Sequence, residues 1–66
     1  MSLLFDTVKQ IEAVIQKKNL PAFKTKGRIA LKAGFVLSTI EPNSPDDPSQ
    51  LEHLKAAARE ILGEAV

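Results

Sequence analysis

The sequence predicts an all-α fold, a short three-helix bundle, and three observations carry that expectation. Two apolar stripes of 3.6-residue period flank the middle of the chain, each bounded by residues that start and stop helices. Between them lies the most apolar run, Gly27 to Ile40, long enough for a third helix. No Asn-Gly or Asp-Gly turn marks a hairpin anywhere in that run. The alternative is an α+β helix–hairpin–helix, and it depends on the central run alone.

The first helix is expected over residues 3–18. Leu4, Val8, Ile11 and Ile15 recur at spacings of four, three and four and share one stripe, with Leu3 and Val14 at its edge. Ser2 suits the N-cap, and Asp6 places negative charge in the first turn, where the helix dipole favours it. Lys17 and Lys18 suit the opposite end, Asn19 can close the helix, and Pro21 stops a simple continuation. Residues 20–26 then read as a connector. Phe23 is expected to plug the end of the core, and Thr25 to cap the central element.

The central helix is expected over residues 26–40, with Ile29, Ala33, Val36, Leu37 and Ile40 on one face. Leu31 and Phe35, four apart, form a second patch roughly opposite. Gly34 inside such a helix costs about 1 kcal/mol relative to Ala. Read instead as strands, Ile29, Leu31, Ala33, Phe35 and Leu37 alternate, with Gly34 at the turn. A lone two-stranded hairpin is marginal in water, which favours the helix.

Residues 41–48 hold three prolines and read as a loop. The last helix is expected over residues 48–62. Asp47 is placed as N-cap, Pro48 at the first helical position, and Gln50 for a capping box. Leu51, Leu54, Ala58, Ile61, Leu62 and Ala65 share its stripe, Ala56–Ala58 let a neighbour approach closely, and Gly63 ends it. The expected core is Leu4, Val8, Ile11, Ile15, Ile29, Val36, Leu37, Ile40, Leu51, Leu54, Ala58 and Ile61.

Sixty-six residues are expected to form a single small helical domain, residues 1–66. Twenty Ile, Leu, Val and Phe side chains supply one small core, and with no Cys no disulfide or thiolate site can form. One His excludes a multi-His site within one chain. The longest apolar run falls far short of the ~18 residues of a membrane span, and no signal-peptide pattern opens the chain. A soluble, cytoplasmic protein without membrane attachment is the expectation.

Catalytic signals are missing where they would be needed. His53 projects away from the apolar stripe of its helix, with no carboxylate three or four residues away to orient it as a general base. Glu41, Asp46 and Asp47 lack the alternating ligands and the glycine of a calcium loop. Lys24-Thr25-Lys26-Gly27 lacks the glycine spacing of a phosphate loop, and Ser2, Ser38, Ser44 and Ser49 have no recognisable base. The expectation is a non-enzymatic protein with no metal and no cofactor.

Two polar and apolar features remain. Residues 1–40 carry seven Lys and Arg against two acids, net +5, and residues 41–66 carry two against six, net −4. These halves are expected to face each other, within the fold or between two copies. The basic cluster Lys17, Lys18, Lys24, Lys26, Arg28 and Lys32 could contact phosphates, but Arg28 is its one base-reading side chain, and the chain has no Tyr or Trp to stack on bases. The apolar patch of Leu31 and Phe35, flanked by the small residues Ala30 and Gly34, suits a twofold pairing with a second copy. The expected function is therefore protein–protein interaction with an unidentified partner, self-association (most simply a dimer) through the central element included. A small nucleic-acid-binding protein using residues 17–32 is the alternative.

Overall fold

Three α-helices follow one another in the computed structural model, which describes residues 2–66: α1 (Leu3–Lys17), α2 (Ala22–Ala33) and α3 (Pro48–Leu62), with a single 3₁₀ turn, Leu37–Thr39, between α2 and α3. There is no strand among the described residues. The fold is the all-α three-helix bundle that the periodicity predicts. No helix among the described residues is long and apolar enough to cross a membrane.

Both outer helices start and stop where their sequence signals fall. The Ser2 hydroxyl caps α1 by accepting the Phe5 N–H, and buried Thr7 satisfies its own hydroxyl by donating to the Leu3 carbonyl one turn back. At the other end Asn19 takes the left-handed conformation at φ 56°, which Asn tolerates better than most residues. The Asn19 N–H then bonds the Gln16 carbonyl and the Leu20 N–H the Ile15 carbonyl, a Schellman closure that Pro21 follows. For α3, Asp47 accepts from the Ser49 and Gln50 N–H groups, Pro48 leads the first turn, and Gly63 closes the helix at φ 73°. The return bond of a capping box, from Gln50 to the Asp47 N–H, is not formed among the described residues.

The central element departs from expectation at both ends. Its helix begins at Ala22, not residue 26, because Pro21 is the N-cap: a helix start has no use for the N–H that proline lacks. Thr25 therefore caps nothing and is buried within the helix. The helix ends at Ala33, where Gly34 turns left-handed at φ 89° and donates its N–H to the Ala30 carbonyl. Glycine takes that conformation without the clash of a Cβ, so it terminates the helix at little cost instead of weakening its interior. Beyond it the backbone at Val36 is extended, so the side chains alternate over a few residues. Leu37 is buried at 3% exposure and Phe35 is half-buried, whereas Val36 points out at 56%. Val36 is thus not a core residue, as a continuous helix would have made it.

Ile11, Ile29, Leu54 and Ala58 are fully buried, so each helix contributes to the centre of the core. Leu4, Val8, Ile15, Ala33, Leu37, Ala57 and Leu62 surround them. Ile40, Leu51 and Ile61 pack on this core half-buried instead of within it. Ala57 lies outside the expected stripe yet is buried, and α2 packs on α3 more extensively than on α1. The radius of gyration is 10.6 Å, close to the ~11 Å of a folded chain of this length. α1 and α3 run in the same sense. Their N-termini meet through residues 42–47, and their C-termini through Lys17 and Lys18, each 3.6 Å from Glu64.

Candidate docking surface

The outward face of α2 is built from residues four apart. Phe23, Gly27 and Leu31 form one row, and Ala30 and Gly34 a second beside it. Because Gly34 ends the helix, the segment Phe35–Ser38 folds back beside these rows. The result is an open apolar groove of about 840 Å³, with Phe23, Leu31 and Val36 on its walls and Gly27, Ala30 and Gly34 among its lining. Phe23 is 93% exposed and Leu31 85%. Phe23 does not plug the core, because the early start of α2 turns it to solvent.

Of the four residues expected at an oligomer contact, Leu31, Ala30 and Gly34 line this groove, with Ala30 half-buried. Phe35 lines it too, but half-buried, since the break at Gly34 swings its ring toward the core. The residues that replace it in the exposed patch are Phe23, expected in a connector as a plug of the core, and Val36, expected inside a helix running to residue 40. The signals that could have found them are Pro21 read as a helix start, for Phe23, and Gly34 read as a helix stop, for Val36.

Gly27 stands inside α2, where Gly is about 1 kcal/mol worse than Ala. A Cβ built there meets nothing within 4 Å. No neighbour among the described residues requires a glycine at this position; the space above it belongs to the groove.

The basic cluster does not form one free surface. The Lys26 ammonium donates to Glu12 at 2.8 Å, and the Lys32 ammonium lies 2.9 Å from Glu60. Lys17 and Lys18 share Glu64. Lys26 is also what holds the Glu12 carboxyl below its ordinary range, chiefly by that hydrogen bond. The opposed halves of the charge pattern therefore meet within the fold at Lys32–Glu60 and at Glu64. Lys24 and Arg28 alone of the cluster have no ion pair among the described residues; both are exposed on α2, one turn apart and three or seven residues before Leu31.

The adjacent acids of the proline-rich loop serve helix ends. The Asp46 carboxylate accepts from the Leu4 N–H at 3.2 Å and the Ser2 hydroxyl at 3.0 Å, so it caps α1 from the distant loop. The Leu4 bond first, then the Ser2 bond, lowers its pKa from the usual Asp value. Asp47 caps α3. His53 is exposed on α3. Sequence reasoning missed the Asp46 role, since nothing local links it to a helix 42 residues earlier. Comparison with family models, with curated proteins and with solved structures gives no match for this chain.

Proposed function

We propose that this protein is a small non-enzymatic module that works by protein–protein contact through the α2 groove. The observation that carries this reading is Gly27 beneath the exposed Phe23 and Leu31. The helix bears a glycine that no contact among the described residues requires, at the spot where a partner side chain would descend. Monomer surfaces seldom expose a wall of large apolar side chains over a small-residue floor without a use for it.

Self-association is one form of this contact, with Leu31 meeting its copy across a twofold axis. Light scattering over a concentration series, for wild type and Leu31→Glu, tests that form. A dimer lost in Leu31→Glu supports it, and a dimer that survives places the contact elsewhere. Contact with any protein is tested by a photo-crosslinking residue at position 31, compared with one at exposed position 53, in the source cell. The expected result is a discrete adduct from position 31 alone. Equal adducts from both positions, or none from either, would overturn the docking reading. The nucleic-acid reading is less well supported, because four of its six cations are engaged by acids of the same chain.

A further inference from the structure

Granting that the groove docks a protein, we infer that its occupant is an acidic amphipathic helix of an unlike partner, not a second copy of this chain. The groove runs along α2 from Phe23 to Leu31, a rise of about 12 Å, which spans two turns of a helix laid alongside. Phe23, Gly27 and Leu31 line it at four-residue intervals, the spacing that helix-in-groove recognition uses, and the floor at Gly27 admits one close approach of a side chain or backbone.

Charge selects the occupant. The stretch Ala22–Ala33 contains three Lys, one Arg and no acid. Lys26 and Lys32 are already paired at the surface with Glu12 and Glu60 of the same chain. Lys24 and Arg28, beside the groove's lining on the Leu31 side of α2, are the cations of this helix without an ion pair among the described residues. A helix with Leu or Phe on one face and Glu or Asp along the adjoining edge answers both features together. A second α2 answers only the apolar one. In a twofold antiparallel pairing each edge meets its own equivalent, so Lys24 and Arg28 would face Lys24 and Arg28 with no carboxylate from either helix. Like charges so placed disfavour that partner.

The test uses the intact protein and three designed helical peptides. One has Leu at i, i+4 and i+7 with a Glu edge, the second replaces each Glu by Lys, and the third keeps Glu and replaces each Leu by Ser. Each is titrated into isotope-labelled protein at about 0.15 M ionic strength, where only near charges act strongly. The Leu/Glu peptide is expected to shift amides of residues 23–36 and to bind about tenfold tighter than the Leu/Lys peptide. The double variant Lys24→Glu, Arg28→Glu should reverse that preference, and Leu31→Glu should abolish binding without unfolding the protein. Equal binding of the Glu and Lys peptides, or a preference unmoved by the charge reversal, would overturn the acidic partner while leaving an apolar dock intact. Binding of the Leu-less peptide as tightly as the first would overturn it as well, as mere charge attraction. If no peptide binds and light scattering shows a dimer that Leu31→Glu breaks, the occupant is a second copy. With neither peptide binding nor dimer, the docking reading falls with the inference.

Discussion

Asp46 and Asp47 are adjacent in the chain and hold different helices. Asp47→Ala removes the local cap of α3 and should cost about 0.5–2 kcal/mol in urea or thermal unfolding. Asp46→Ala should also lower the unfolding midpoint, although α1 lies far away in sequence, because the Leu4 N–H and Ser2 hydroxyl lose their shared acceptor. His53→Ala should stay within about 0.5 kcal/mol of wild type, as exposed sites away from special contacts do. Acid distinguishes the carboxylates. Asp46 and Glu12 both have folded-state pKa values below their ordinary ones, so each contributes stability above its unfolded value and loses it as pH falls through the folded value. Stability should therefore be flat near neutrality and fall below about pH 4. Asp46→Asn should show a smaller fall than wild type over that range, read from urea midpoints at each pH.

At the scale of elements, the glycines at and within α2 have opposite tasks, and one substitution at each separates them. Gly27→Ala should stabilise the protein by about 0.5–1 kcal/mol, because Ala is the better helix former and its methyl meets open space. The same variant should weaken docking, an exchange of activity for stability that calorimetry and the peptide titration would read together. Gly34→Ala should cost about 1–2 kcal/mol, since its φ of 89° brings a Cβ against the backbone. The outer helices were legible in the sequence to within about a residue, because their caps, charges and stripes agree. The central run was not. Ile29 and Ala33 obey a helical period and Phe35–Leu37 a period of two, so either period imposed on the whole run misplaces something. Helix reasoning put Val36 inside and Phe23 in a connector, which hid two of the three exposed side chains on the docking wall.

For the whole molecule, part of the charge split between the halves is spent on internal pairing, at Lys32–Glu60 and at Glu64, which makes the raw count of cations a poor guide to partners. The protein should elute early from heparin, at an ionic strength near 0.15 M or below, where a six-cation phosphate site would hold on and release with a steep salt dependence. Single reversal of Glu60 to Lys should delay elution by freeing Lys32. That acids and bases would face each other was readable from composition. Which lysines would be left over was not, since the pairs Lys26–Glu12 and Lys32–Glu60 are set by how α2 lies on its neighbours.

The proline-rich loop has a consequence for how the chain can change in length. Exposed loops ordinarily accept insertions. Here Ser2 donates its N–H to the Pro42 carbonyl, Asp46 reaches the start of α1, and Asp47 begins α3 with no residue between the two acids. A glycine inserted between Asp46 and Asp47 would force one carboxylate out of reach whenever the other is seated. Inserted between Asn43 and Ser44, it would disturb only the turn that Glu41 and Ser44 close. Of two insertions three residues apart in the same exposed segment, the first should lower the melting temperature markedly and the second only slightly.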